Sequence, residues 1–431
     1  MKNKTATILK ILMIPLVIGS FYTIAAIVKE DQSTSIGEED FITVPDDYIT
    51  IQDAINHANP GVSIYVKRGV YEESIIIDTE RITLQGEDKN NTIIRGGSGT
   101  DLITICANFT TISGFTIKNS NGWSGITILR SNKNIVDGNI IRNCSQSGVR
   151  LYESSGNIIQ NNIIDNTGKI GIEVDSSDNN IIKNNVVSNS RWLGMVLSNS
   201  DNNNIKNNII QGSRNYGVDM FLSNNNILSK NVVQKSMLNG LMIWECNNNS
   251  LLHNMIQYNN EDGVWIYYSR DNLLQGNLIQ DNTWNGIDIV SSSRNTVKEN
   301  IIRNSSDNSM GLYYSDNNTI SYNTFSNNGI GIYLYDSDRN EISSNNFLES
   351  HSKYGHACFY HSRGNIWSKN YWDDWIGVKY RFGIKSLLFR KLPKRIPGEI
   401  VVGKISVRWN NFDRNPVVEP YEIEVSGNDE V

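Results

Sequence analysis

Gly171-Ile-Glu-Val-Asp-Ser-Ser-Asp-Asn-Asn180-Ile-Ile-Lys-Asn-Asn185 is answered 23 residues later by Gly194-Met-Val-Leu-Ser-Asn-Ser-Asp-Asn-Asn203-Asn-Ile-Lys-Asn-Asn208. Another 23 residues on stands Gly217-Val-Asp-Met-Phe-Leu-Ser-Asn-Asn-Asn226-Ile-Leu-Ser-Lys-Asn231. The step links Gly125, Gly148, Gly171, Gly194, Gly217, Gly240, Gly263, Gly286 and Ser309, then becomes 22 to Gly331 and 25 to His356. A fixed period of this size marks a solenoid, in which each repeat hides its apolar face only against its neighbours.

Counted from each glycine, positions +1, +3, +11 and +16 never turn polar through the regular turns. Column +3, for example, runs Ile128, Leu151, Val174, Leu197, Met220, Ile243, Ile266, Ile289. Columns +2, +4, +10 and +15 vary freely and are expected to face out. Spacing of two within a segment gives strands. Three short strands in 23 residues leave no room for a helix, which predicts an all-β, single-stranded parallel β-helix with three sheets. A leucine-rich repeat fits poorly, because leucine does not dominate, β-branched residues occur in every inward column, and asparagine recurs twice per turn.

Two polar columns are as regular. Position +9 runs from Asn134 to Asn365 and +14 from Asn139 to Asn370, while +6 is serine except at Cys246. Turns stack about 4.8 Å apart, so like amides can bond to one another and to the bend backbone. Asparagine also tolerates the left-handed conformation a corner needs. These columns are scaffold, and Cys246 reads as a small buried residue.

All seven prolines fall outside residues 61–392, as central strands require. The net charge of −6 offers no footprint for nucleic acid. None of the four cysteines forms a CxxC or shares a column with another in neighbouring turns, so no disulfide is expected. Residues 1–29 carry Lys2, Lys4 and Lys10 before an uncharged run from Ile11 to Val28, a signal peptide or signal-anchor transmembrane segment. This places the body outside the cytoplasm, secreted or membrane-anchored through the N-terminal segment. A linker follows at 30–40. Residues 41–124 form an N-terminal cap, with a helix over 50–58 and the first irregular turns, then the regular β-helix over 125–372. Residues 373–431 form a C-terminal cap with a basic-apolar stretch at 379–395 and a closing strand at 401–407.

Ile51-Gln-Asp-Ala-Ile55, Pro60-Gly61, Gly69-Val-Tyr71, Ile112-Ser-Gly-Phe-Thr-Ile117, the Asn-x-Ile-x-x-Asn-x-Ile turns and the closing Asn370-Tyr-Trp-Asp373 resemble NosD-type right-handed β-helix proteins. Those belong to a pectin-lyase-like class of carbohydrate-binding proteins and sugar hydrolases. The resemblance spans about residues 41–373 and implies a right-handed coil. It leaves activity open among lyases, hydrolases, epimerases, copper-enzyme maturation factors and plain surface proteins, and no catalytic motif of the class maps onto this chain.

Function is expected on the +2/+4 face. Phe221, Trp244, Trp265, Tyr267, Asp288, Tyr313 and Tyr335 set aromatics beside a carboxylate, as suits the apolar faces and hydroxyls of sugars. The first expectation is therefore a surface protein that binds polysaccharide or cell-surface glycan without catalysis and requires no cofactor. A second is a lyase, hydrolase or epimerase using Glu173, Asp175 and Asp219. Asp175 and Asp219 lie two turns apart, ~9.6 Å, and Glu173 and Asp175 share a strand face at ~7 Å. A third, raised by the resemblance, is copper handling through His351, His356 and His361, with Cys358 nearby.

Overall fold

The four inward columns fall in three strand segments per turn and need three walls, and the chain supplies them as a right-handed parallel β-solenoid. The computed structural model describes residues 41–96, 100–120, 122–375, 393–402 and 405–424. Among these, two sheets hold 15 strands and the third 14, each strand pairing with its equivalents one turn before and after. The first sheet carries column +11, the second columns +1 and +3, and the third column +16. Register follows the repeat without slippage: Ile126 pairs with Val149, Val149 with Ile172, and Ile141 with Ile164. The inward columns are wholly buried.

The coil starts before the sequence becomes regular. Ser63, Thr83, Thr111 and Ile135 stack as partners in the first sheet although their spacings differ, because the connecting loops absorb the difference. A short helix, Ile51–His57, buries Ile51, Ala54 and Ile55 over the open end. The Thr50 side chain caps it by accepting from the Asp53 N–H at 3.1 Å. The Glu73 carboxylate accepts from the Ile51 and Gln52 N–H groups, both at 3.0 Å, so a buried helix start keeps its donors satisfied. Beyond it Phe41–Val44 adds a parallel edge strand that periodicity did not reveal.

At the other end the expected single strand is a hairpin, Lys394–Val402 with Ile405–Asp413, whose first strand continues the second sheet from Ala357–Tyr360. Asp413, fully buried, accepts from the Asn370 N–H and side-chain amide, both at 3.0 Å, and from Trp372 Nε1 at 3.2 Å. A carboxylate thus ends the amide ladder where no further asparagine follows. The expectations for residues 1–29, 30–40 and most of 379–395 fall outside the described residues. No helix among those described is long and apolar enough to cross a membrane.

The ladders differ from expectation in one respect. The left-handed residues are not the ladder asparagines but their predecessors at +8 and +13, such as Asn179, Asn184, Asn202 and Asn207. The left-handed residue makes the bend, and the next one turns its amide inward to bond the stack. Cys246 stands in for serine here, its Sγ accepting from the Ser223 N–H at 3.2 Å. All four cysteines are free.

The glycine column exists for close approach. A Cβ on Gly194 would lie 2.3 Å from Ile210 Cγ2 and 2.6 Å from the Gly217 carbonyl oxygen. Gly194→Ala therefore overpacks a rigid interior and is expected to destabilise by about 1–3 kcal/mol in urea unfolding. An unchanged midpoint would show that the coil relaxes around the methyl.

Candidate functional site

The second sheet presents columns +2 and +4 to its outer side. Stacking brings four of the expected aromatics together. Phe221 and Trp244 lie 4.9 Å apart by ring centroid, Trp244 and Tyr267 6.3 Å, and Trp265 and Tyr267 5.6 Å, with Tyr268 joining Tyr267 at 4.1 Å. Trp244 is 37% exposed, so the ridge offers ring surface to solvent. Val290 interrupts it in the next turn. Tyr313 and Tyr335 belong to a second patch, with Tyr313 against Tyr333 at 5.8 Å and Tyr335 against Tyr360 at 5.3 Å.

The carboxylates divide by environment. Glu173 is tied up: it pairs with Arg150 at 3.3 Å and accepts from the Ser147 hydroxyl. Asp175 lies between Tyr152 and Ser198 in its column and accepts from the Ser176 hydroxyl at 3.1 Å. Asp219 lies between Val196 and Met242, and no donor among the described residues reaches it. Burial alone pushes its carboxyl up to about 6. The three expected catalytic residues therefore do not act as one cluster.

Asp288 was expected at an open sugar-contacting position, yet it is 9% exposed. Its column neighbours are Trp265 and Gly311. A Cβ on Gly311 would sit 2.4 Å from Asp288 Oδ1 and 2.5 Å from the Tyr313 ring. The missing side chain lets the carboxyl and the ring close over that spot. Asp288 Oδ2 accepts from Asn285 Nδ2 at 3.0 Å, whereas Oδ1 is buried with no partner among the described residues. Burial first, and then the nearby Asp262 charge, raise its carboxyl well above the ordinary range.

Asp262 is the member that the column reading missed. It precedes Gly263; the same position holds Ser124, Ser147, Ile170 and Leu193 in the first four turns, then Tyr216 and Asn239, and after Asp262 it holds Asn285 and Asn308. The signal was a switch of this column from small or apolar to polar in the turns carrying the aromatic ridge. Asp262 Oδ1 accepts from the Asn285 N–H at 2.9 Å, and Asn239 and Asn285 extend the chain of bonds on either side. Burial raises its carboxyl to about 6 against those bonds. The Tyr313 hydroxyl is raised by burial and then by Asp288, and Tyr333 is pushed up to about 12, chiefly by burial.

The three histidines do not converge. His351 contacts Asn327 Oδ1, and His361 stacks on Tyr360 at 3.6 Å with Asp336 at 3.5 Å. His356 Nε2 meets Asp373 Oδ1 at 2.6 Å and Asp374 Oδ1 at 3.7 Å. Those three are, among the described residues, the one group close enough to share an ion. The Lys394 ammonium already pairs with Asp374, so the charge is met within the C-terminal hairpin. His356 is thus a buried link between the last turn and its cap.

The family model for the right-handed β-helix region matches residues 75–233 and 196–347. The chain belongs to that family. A search of curated proteins finds no match. Among solved structures, this β-helix is similar to a mannuronan C-5 epimerase A-module of Azotobacter vinelandii, at 15% identity and TM-score 0.53, covering 73% of this chain and 91% of that one. It is also similar to a family 6 polysaccharide lyase of Pseudopedobacter saltans, at 12% identity and TM-score 0.52, covering 69% of this chain and 85% of that one. At these identities the likeness is one of fold.

Proposed function

We propose that the outer face of the second sheet binds polysaccharide, in a protein that works outside the cytoplasm. The observation that carries this reading is the continuous ring ridge Phe221–Trp244–Tyr267 with Trp265 beside it. Such a ridge stacks on the apolar faces of successive sugars while neighbouring carboxyls take their hydroxyls. The polysaccharide-acting names of the two fold neighbours support it. Trp244→Ala and Trp265→Ala are each expected to weaken glycan binding roughly tenfold, about 1.4 kcal/mol, with the circular dichroism spectrum unchanged. A broad glycan array on which the wild-type protein binds nothing rejects the reading.

A second reading, acid catalysis on the bound glycan, is favoured by Asp219 and Asp262, whose carboxyls stay partly protonated near pH 6. It expects release of shorter products by the wild-type protein and at least a hundredfold slower release by Asp262→Asn, of the order general acid catalysis supplies. Equal rates would remove Asp262 from that role. The copper-maturation reading of the NosD resemblance has no support from the separated histidines.

A further inference from the structure

The face that carries the aromatic ridge has a one-sided charge. Positions −2 to +5 of five consecutive turns cover residues 215–222, 238–245, 261–268, 284–291 and 307–314. They hold Asp219, Glu245, Glu261, Asp262, Asp288 and Asp307, and no lysine or arginine. None of the six carboxylates forms an ion pair among the described residues, whereas two turns earlier Arg150 answers Glu173 on the same face. Among the described residues, Asp288 Oδ1 is buried without a donor, and no donor reaches Asp219. Acceptors without donors thus lie at a face already built of ring surfaces.

Both components select the same ligand charge. A carboxylate attracts an ammonium group and repels a uronate, and the electron-rich faces of Trp244, Trp265 and Tyr267 do the same through their quadrupoles. A polyanionic glycan laid along these five turns would bring its carboxylates over uncompensated acidic groups, with no guanidinium or ammonium at those positions to receive them. Resting on the reading that this face binds polysaccharide, we infer that its ligand is a polymer of amino sugars bearing free ammonium groups, not a uronate polymer. The ammonium groups lie over Asp219 and the Asp262–Asp288 pair, and the sugar rings stack on the ridge between them.

The test is calorimetric titration of the whole protein near pH 7, above the carboxyls of Asp219 and Asp262, with three hexasaccharides: glucosamine, N-acetylglucosamine and galacturonate. The glucosamine hexamer is expected to bind roughly tenfold or more tightly than its acetylated counterpart, with no detectable binding of the uronate. Raising salt from about 0.05 to about 0.5 M should weaken the amine several-fold and leave the acetylated hexamer nearly unchanged, because only the former is held by charge. Asp219→Asn with Asp288→Asn should reduce the preference for amine over acetamide at least fivefold. Equal binding of amine and acetamide, or binding of the uronate, overturns the charge assignment alone. Binding of none of the three overturns the polysaccharide reading along with it. The salt series on the wild-type protein decides the matter even if the double variant fails to fold.

Discussion

Asn208→Ala is expected to destabilise the protein by about 4 kcal/mol, more than any surface change on the same turn. Asn208 Oδ1 accepts from the Asn185 N–H and from Asn185 Nδ2, both at 3.0 Å. Its own amide donates to the Ile182 carbonyl at 2.9 Å and to Asn231 Oδ1 at 3.0 Å. Truncation removes a partner from a backbone donor, the Asn185 N–H, and from a backbone acceptor, the Ile182 carbonyl, both in the preceding turn and sealed from water. Each orphaned buried group costs about 1–3 kcal/mol, and two act together here. The comparison is Asn184→Gly, one position from ladder residue Asn185. Asn184 is left-handed, with φ 56°, and its exposed amide reaches only Asn161 Oδ1, at 3.3 Å. Glycine adopts that backbone freely, so the change should stay within about 0.5 kcal/mol. Urea unfolding of both variants measures the difference. Equal effects would mean that the ladder bonds are replaced by water as the turns part.

What the sequence disclosed follows from what repetition averages. Inward columns, ladders and sheet number were legible because every turn repeats the same requirement, so chance variation at one position is outvoted by its equivalents. The helix over the open end was legible because Ile51, Ala54 and Ile55 have helical spacing and Pro60-Gly61 stops it. The ends were less so: Phe41–Val44 and the long closing hairpin occur once, and no column reports them. The site was legible in part for the same reason. The ridge from Phe221 to Tyr267 lies in one column and could be read. The burial of Asp288 depends on Gly311 one turn away and on Tyr313 beside it, a relation between columns. The pairing of Glu173 with Arg150 depends on a neighbour in the preceding turn. The histidines, all within one stretch of eleven residues, looked close in sequence but are fixed by different partners: Asn327, Asp373 and Asp336.

A large pH effect should come from Asp219. Its folded carboxyl is raised from 3.8 to about 6, with burial as the cause. A group raised on folding binds its proton more tightly in the native state. Its contribution to stability is therefore fully present below the unfolded value near pH 4 and is lost as pH rises through about 6. A shift of about two units corresponds to roughly 3 kcal/mol, and residual solvent access brings the expected loss to about 2 kcal/mol. Asp219→Asn removes the charge and keeps the shape. It should leave stability at pH 4 nearly unchanged and raise it by about 2 kcal/mol at pH 8. Thermal unfolding of both proteins from pH 4 to 8 tests this, and parallel profiles would show that water solvates Asp219 well enough to cancel the burial. Asp262, also near 6, adds a drop of the same sign that persists in the Asp219 variant. Val196 and Met242 hold the equivalent positions in the adjoining turns, so the fold has no need of a charge there. An unpaired carboxylate that lowers stability at neutral pH, on a face lined with aromatic rings, fits the polysaccharide binding proposed for that face.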